Sequence, residues 1–307
     1  MSAAHAVSAE LIAVLVAVTI GQPRVLTIQD GRALPSGPFE LGHRSLQSGL
    51  RAWVEQQTHY PLGYVEQLYT FADRDRTKDD GRRAVSISYL GLTREVGISG
   101  ATEARWWDWY TYFPWEDHRS GPPGTIADAI EPRLRDWAGA TPKPACRGGR
   151  QQRAAITFGL DGRPWNEELV LQRYELLYEV GLVPEALRDR QTAGDSVPGL
   201  PMAADHRRIL ATAIARLRAK IKYRPVVFEL MPDEFTLLQL QRSVEGIAGR
   251  PVHKQNFRRL VEQQELVEET GAITADTGGR PAKLFRFRRE VLAERAVAGT
   301  KLPLIRT

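Results

Sequence analysis

Residues 235–287 read FTLLQLQRSVEGIAGRPVHKQNFRRLVEQQELVEETGAITADTGGRPAKLFRF, and this stretch decides the fold of the last third of the chain. Thr236 predicts the N-cap of a helix that runs to about Ala248, because its hydroxyl can accept a hydrogen bond from the first turn. The sequence GRP at 249–251 predicts a tight turn, and residues 252–264 predict a second helix. Two helices joined by a short turn with glycine make a helix-turn-helix.

Two short strands complete this region. Residues 266–270 and 283–287 are predicted strands on either side of the loop 271–280. A helix-turn-helix that is followed by a β-hairpin is a winged helix. We therefore predict a winged helix-turn-helix domain over residues 225–307.

The second helix carries side chains that can read DNA. In such domains this helix enters the major groove, while the turn and the wing bind phosphates. Asn and Gln can form two hydrogen bonds with adenine, and Arg can form two with guanine. The charges of Lys254 and Arg259 are expected mostly to bind phosphate. We expect Leu260 and Val261 to face the domain core. The candidate DNA contacts are Arg250, Lys254, Gln255, Asn256, Arg258, Arg259, Arg280 and Lys283.

Charge is distributed unevenly along the chain. Residues 203–307 contain 20 Lys and Arg against 12 Asp and Glu, whereas residues 1–202 contain 22 against 25. The basic surplus belongs to the last third, which favours contact with a polyanion such as double-stranded DNA. The cluster at 286–289 is expected to add electrostatic attraction only. The alternative is that the basic helix face is simply solvated.

Composition excludes several protein classes. With 307 residues, 42% hydrophobic and 26% charged, the chain is a globular protein, and its length suggests two domains. Cys146 is the single cysteine, and the six histidines have no metal-ligand spacing, which excludes a disulfide scaffold and a zinc module. The longest apolar run, 11–20, is about half of a membrane span. We expect a cytoplasmic protein with no targeting segment and no membrane partner.

The first third predicts strands around one helix. Residues 11–20 and 24–29 predict a hairpin across the turn GQP, and residues 45–57 have helical spacing. Two more strands, 64–71 and 83–92, flank a charged loop. A further strand is predicted for residues 106–115, which hold seven aromatic residues. These could stack an adenine ring, build a dimer interface or fill the core.

The middle of the chain is less regular. Residues 118–153 are rich in proline and basic residues and predict a linker or surface loop. A helix is predicted over 165–180 with Gly181 as its end, and a long helix over 205–222.

A segment that begins at Gly37 resembles the box of the Nudix hydrolases, whose helix carries several glutamates. The pattern is met at Gly37, Arg51, Trp53 and Glu55, after the upstream sequence LPSG. It fails at five positions, three of which hold glutamate in that family: His43, Ala52, Gln56, Thr58 and His59.

These departures from the box imply that the metal-dependent hydrolytic activity is lost. Nudix hydrolysis uses clustered carboxylates to hold divalent cations that activate water. Only Glu55 remains of that cluster, so we expect no catalytic residues, no metal site and no required cofactor, while a nucleotide-shaped cleft persists. Alternatively, Arg51 and Glu55 form only a helix salt bridge.

The last third resembles the Nudix-related transcriptional regulators of NAD metabolism (NrtR-like), and most closely their alphaproteobacterial NadQ-type branch. The segments that carry this resemblance are DH at 205–206, LRAKIKY at 217–223, FELMP at 228–232, FTL at 235–237, GRP at 249–251, NFRR at 256–259 and GRPAKLF at 279–285.

The resemblance implies an α+β fold, a Nudix-like α/β/α sandwich with a helical insertion, followed by the winged helix. The sandwich would comprise residues 1–118 and a closing helix at 202–224, interrupted by a partly helical insertion at 119–201. The implied effector is an adenine nucleotide (NAD, ADP-ribose or ATP), and the candidate ligand-binding residues are Arg44, Arg51, Glu55, Glu66, Arg74, Arg76 and Arg82.

The implied function is that of a homodimeric repressor of NAD-synthesis genes. Two alternatives stay open from the sequence. One is a Nudix-type nucleotide pyrophosphatase whose winged helix mediates protein contacts, and the other is a sensor with residual hydrolase activity.

Overall fold

The computed structural model describes residues 7–60, 62–63, 65–72, 83–95, 103–192, 194–275 and 281–290. Over these residues, none of the helices is both long and apolar enough to cross a membrane. Along the described residues, a mixed sheet comes first, a helical region follows, and two helices and a β-hairpin come last.

The main sheet has the strand order β4-β5-β1-β2-β6, with β3 paired to β1. Strand β1 pairs in parallel with β5, and its other neighbours are antiparallel. The predicted β1–β2 hairpin is confirmed, with its turn at Ile20 and Gly21. The strands are β1 Val7–Thr19, β2 Gln22–Thr27, β3 Ser36–Pro38, β4 Val65–Phe71, β5 Arg83–Leu92 and β6 Arg105–Asp108.

Strand β1 lies at the centre of the sheet because its apolar side chains are buried on both faces. Alternate side chains of a strand point to opposite faces. Leu11, Ala13 and Leu15 pack against helix α1 (Leu46–Thr58), whereas Ile12, Val14 and Val16 belong to the larger core that contains helix α6 (His206–Lys220). This alternation places α6 on one face of the sheet and α1 on the other. We call α1 the box helix, because it lies in the segment that resembles the Nudix box.

The aromatic stretch 106–115 is not one strand, contrary to the prediction. Strand β6 ends at Asp108, whose carboxylate accepts a hydrogen bond from Tyr110 N at 2.8 Å and starts a 3-10 turn over Trp109–Thr111. A second 3-10 turn, Pro114–Glu116, follows. Tyr112, Phe113 and Trp115 are fully buried, so these aromatic residues fill the core.

The prediction of a linker at 118–153 is wrong as well. This region holds a π-helical turn at Ile126–Ile130, helix α2 (Glu131–Gly139) and helix α3 (Pro144–Phe158). Both α-helices have proline in their first turn, where the missing N–H costs nothing and the fixed φ favours the helix.

Further helices follow in the middle of the chain. Helix α4 (Val170–Val180) ends at Gly181 in the left-handed region, as predicted, but starts later than predicted. Helix α5 (Pro184–Arg190) follows, and α4 packs against α6. The division of the chain into a sandwich, an insertion and a winged helix stays a prediction.

The winged helix agrees closely with the sequence pattern. Helix α7 (Leu237–Ala248) begins with a capping box between Thr236 and Gln239, and Gly249 ends it in the left-handed region. Helix α8 (Lys254–Gln263) follows, and the strands β7 (Val267–Thr274) and β8 (Ala282–Phe287) form the hairpin. Both strands are longer than predicted.

Candidate nucleic-acid interface and the box helix

Helix α8 presents an exposed polar face. Val261 is buried and Phe257 partly buried, so this pair, four residues apart, anchors the helix. The prediction that Leu260 faces the core is wrong, since 49% of it is exposed. Within the part of the chain that the structure describes, the five exposed candidates make no side-chain hydrogen bond or ion pair: Lys254, Gln255, Asn256, Arg258 and Arg259.

The basic side chains of the wing are paired instead. Lys283 contacts both carboxylate oxygens of Glu269 at 2.9 Å. Arg286 pairs with Glu268 on the facing strand. These exposed ion pairs neutralise much of the wing's charge, so Lys283 is a weaker candidate for DNA contact than the cations of α8. Arg280 lies outside the described residues.

The turn between α7 and α8 is docked onto the rest of the protein. The backbone N–H of His118 donates to the carbonyl oxygen of Gly249 at 2.7 Å. Arg250, a candidate DNA contact, pairs with Glu167 at 3.2 Å. The position of the turn is thus fixed by segments far away in sequence.

A buried cluster of charges, which we call the Glu116 joint, lies beside this turn. It consists of Glu116, Arg173 and Arg218, all almost fully buried. Arg173 Nη2 contacts Glu116 Oε2 at 2.9 Å, and Arg218 Nη1 contacts the same oxygen at 2.6 Å. Burial alone would raise the pKa of Glu116, but the two guanidinium groups hold that pKa below its usual value.

The Glu116 joint also satisfies the C-terminal carbonyls of α7. Arg218 Nε donates to the carbonyl oxygen of Ile247 at 2.8 Å. The hydroxyl of Tyr110 donates to the carbonyl oxygen of Gly246 at 2.7 Å. The last carbonyls of a helix lack partners within the helix, so these bonds anchor the end of α7.

Sequence analysis missed the Glu116 joint, although α6 held a signal for it. Arg207 and Arg218 share one face of α6 with Ala211 and Ile214, at core-facing spacing, and all four are buried. A basic residue at a core position of a helix indicates a buried ion pair. Glu116 lies about 100 residues before Arg218, between the predicted strand 106–115 and the predicted linker 118–153, so its partner was not evident from the sequence.

The box helix α1 uses its polar residues to hold strand β3. A Cβ atom on Gly37 would lie 2.3 Å from the ring of Trp53, so only glycine fits beneath that ring. Trp53 Nε1 donates to the carbonyl oxygen of Pro38 at 2.9 Å. Gln57 bonds to both the N–H and the carbonyl of Ser36.

Arg51 does not form the expected salt bridge with Glu55. It donates instead to the carbonyl oxygens of Leu62 and of Gly63, the latter at 2.9 Å. Glu55 and Gln56 are exposed. Among the described residues there is no group of three or more His, Cys, Asp or Glu that could hold a metal ion.

The candidate ligand-binding residues do not all meet. Arg44 is exposed and directly precedes the N-cap of α1, the helix that carries Arg51 and Glu55. Glu66 pairs with Lys220 of α6, which lies on the face of the sheet opposite α1. The structure therefore places Glu66 and the helix that carries Glu55 on opposite faces of the sheet, and their joint use in one nucleotide site stays a prediction. Arg74, Arg76 and Arg82 lie outside the described residues.

Comparison with known proteins identifies the C-terminal region. Residues 227–287 match the family model for the NrtR DNA-binding winged helix domain. The ADPR responsive transcriptional repressor NtrR of Acinetobacter baylyi is 42% identical over 88 residues, which are 29% of this chain and 35% of that protein. The similarity in sequence is thus confined to about a third of either chain.

Solved structures extend the similarity in fold to most of the chain. Shewanella oneidensis NrtR complexed with a 27mer DNA aligns with a TM-score of 0.54 at 22% identity, covering 92% of this chain and 95% of that one. A MutT/nudix family protein from Enterococcus faecalis gives 0.52 at 17% identity, covering 94% and 89%. The predicted Nudix-like fold with a C-terminal winged helix, of class α+β, is confirmed.

Proposed function

We propose that this protein is a DNA-binding transcriptional repressor of NAD-synthesis genes that senses an adenine nucleotide through its sheet domain. The observation that carries the proposal is the face of α8. Five exposed residues there have side chains without partners among the described residues, and all five are types that hydrogen-bond to bases or phosphates. The similarity of residues 227–287 to a DNA-binding winged helix supports the same conclusion.

The proposed effector is an adenine nucleotide with a diphosphate. The relative from Acinetobacter baylyi is named as ADPR responsive, which favours ADP-ribose over NAD and ATP. Without a metal ion, arginines must offset the phosphate charge, and Arg44 is an exposed candidate just before the box helix. Arg51 is a weaker one because it is engaged with two carbonyls.

We further propose that the protein acts as a homodimer of the NadQ type and is not a hydrolase. Recognition helices of a dimer must be spaced to match half-sites about one DNA turn apart. An effector that favours another spacing lowers the affinity for the operator by its difference in affinity for the two arrangements. Glu55 alone is too small a carboxylate set to hold a catalytic divalent cation.

The test is a mobility-shift titration at fixed salt. The probe is a duplex selected from a random-sequence library by the protein itself, with a scrambled duplex as control. Specific binding that ADP-ribose, NAD or ATP weakens is the expected result. If no duplex is selected, the proposal fails.

A turnover assay addresses the hydrolase alternative. The protein is incubated with each nucleotide and magnesium or manganese, beside a Glu55→Ala variant. We expect no difference between the two. Nucleotide hydrolysis by the wild type that the variant lacks would favour a pyrophosphatase.

A further inference from the structure

A short segment before α4, residues 165–168, lies against the helix-turn-helix. The ring of Trp165 packs against His118 at an interplanar angle of 33° with centroids 3.9 Å apart, and the guanidinium of Arg173 lies 3.8 Å from the Trp165 ring centroid. The carbonyl oxygen of Glu167 accepts a hydrogen bond from Arg218 Nη1 at 3.1 Å. The segment is therefore fastened to the Glu116 joint through its ring and its backbone.

The side chain of Glu167 joins two basic residues. It contacts Lys222, just beyond α6, at 2.8 Å and Arg250, in the turn between α7 and α8, at 3.2 Å. Only 5% of this side chain is exposed. Burial alone would raise its pKa, but Lys222 and Arg250 hold the pKa of Glu167 below its usual value. The carboxylate is thus charged and fixed in place at neutral pH.

The guanidinium of Arg250 is paired through one nitrogen and still has donors for another partner. Its side chain is 51% exposed, and the contact with Glu167 is made by Nη2. A guanidinium has five N–H donors in a rigid fork, so donors remain for a second anion. The turn of a helix-turn-helix lies beside the DNA backbone, where phosphate oxygens are that anion.

We propose that Glu167 is a positioning residue for DNA binding, which holds the Arg250 guanidinium in the direction of a backbone phosphate. This inference rests on the proposed function. It gives the segment 165–168 a role in fixing the DNA-contacting turn. The side chain of Arg250 is then already ordered before DNA binds, because its rotamer freedom has been lost on folding. Binding the phosphate therefore costs less conformational entropy.

Glu168 provides a matched control. It is the next residue, it also carries a carboxylate, and it also contacts Lys222, at 2.6 Å. Its side chain is 37% exposed, and it has no contact with Arg250. Glu167→Gln and Glu168→Gln change the net charge equally, so any general electrostatic gain in DNA affinity is common to both.

The experiment measures the affinity of full-length variants for the duplex selected by the wild type, at several salt concentrations. Arg250→Ala is expected to weaken binding about ten-fold and to lower the slope of log affinity against log salt by about one. Glu167→Gln is expected to show most of this loss, whereas Glu168→Gln should bind as tightly as the wild type or slightly tighter. Thermal unfolding checks that each variant is folded.

The double variant separates positioning from a general structural role. If Glu167 acts through Arg250, Glu167→Gln combined with Arg250→Ala binds no more weakly than Arg250→Ala alone. An additive loss would overturn the proposal, as would binding by Glu167→Gln that equals or exceeds binding by Glu168→Gln.

A second variant keeps the test valid if Glu167→Gln unfolds. Arg250→Lys retains the charge on an exposed side chain but lacks the fork that can contact a carboxylate and a phosphate together. It should lose several-fold in affinity, and wild-type affinity would contradict the proposal. Absence of specific binding by the wild type would instead overturn the proposed function, so the two failures are distinguishable.

Discussion

The Glu116 joint and helix α8 are both rich in arginine, yet they use it in opposite ways. In the joint, Arg173 and Arg218 are buried, and each contacts the carboxylate of Glu116 and backbone carbonyls. On α8, Arg258 and Arg259 are exposed, and neither has a partner among the described residues. Burial together with pairing, rather than residue type, therefore distinguishes a structural arginine from one that can contact DNA.

The physical reason is the cost of burying charge. A buried guanidinium must be paired and hydrogen-bonded, or the lost hydration is not compensated. An exposed one keeps its water and gives it up only when a phosphate or base edge replaces it. The joint should therefore govern stability, and α8 should govern affinity for DNA.

The largest expected effect comes from breaking the Glu116 joint. Glu116→Gln removes the charge that compensates two buried guanidinium groups, so the free energy of unfolding should fall by about 3–5 kcal/mol. Urea denaturation measures this change. The control is Glu131→Gln, which breaks an i,i+4 ion pair with the exposed Arg135 and should change the free energy of unfolding far less. Equal losses in the two variants would contradict the assignment.

Acid should weaken the Glu116 joint and the neighbouring Asp117–Arg119 ion pair, because it protonates their carboxylates. Arginine neighbours lower the folded-state pKa of Glu116, and Arg119 lowers that of Asp117, so their contribution is present at neutral pH. It is lost as pH falls below the unfolded values of 4.5 and 3.8 and through the folded ones. The urea midpoint should stay level near neutral pH and drop in acid. In Glu116→Gln the urea midpoint should drop less in acid than in the wild type. An equal drop in the two proteins would contradict the contribution of Glu116 to stability.

Arg258→Ala tests the other side of the comparison. Because the Arg258 side chain has no partner among the described residues, its removal should leave the free energy of unfolding within about 0.5 kcal/mol of the wild type. Specific DNA affinity should fall by about 1–3 kcal/mol, with weaker base preference at one position. Mobility shifts on the selected duplex and on single-base variants of it measure both. A loss of stability without a loss of affinity would place Arg258 with the structural arginines.

The smallest effect is expected at the wing. Lys283 is already paired with Glu269, so Lys283→Ala should change DNA affinity by less than about 1 kcal/mol. Glu269→Gln frees Lys283 and should tighten binding slightly. A ten-fold loss in Lys283→Ala would show that DNA displaces the glutamate.

The winged helix was predictable because its signals are local. Thr236, Gly249 and the apolar spacing of α7 determine where that helix begins and ends, and the structure agrees. Helices α2 and α3 were not predicted because the proline-rich and basic stretch 118–153 was interpreted as a linker or surface loop, whereas Pro132 and Pro144 each lie in the first turn of a helix.

The candidate sites depended on contacts between distant residues, and sequence spacing does not report those. Glu66 and Glu55 both fitted a nucleotide site, but Glu55 lies on α1, which packs on one face of the sheet, whereas Glu66 pairs with α6 on the other face. Glu167 had no local signal at all. Its partners, Lys222 and Arg250, lie more than 50 residues away along the chain, and only packing brings the three together.

The sparse anchoring of α8 has a consequence for motion. Helix α7 buries residues along most of its length and is fastened at its end, whereas Val261 is the buried residue of α8. Local opening requires less free energy where fewer contacts are lost, so backbone amides of α8 should exchange with deuterium sooner than those of α7. Binding of DNA should then slow amide exchange in α8 far more than in α7. Helix α8 would become fully ordered only when it is bound to the duplex.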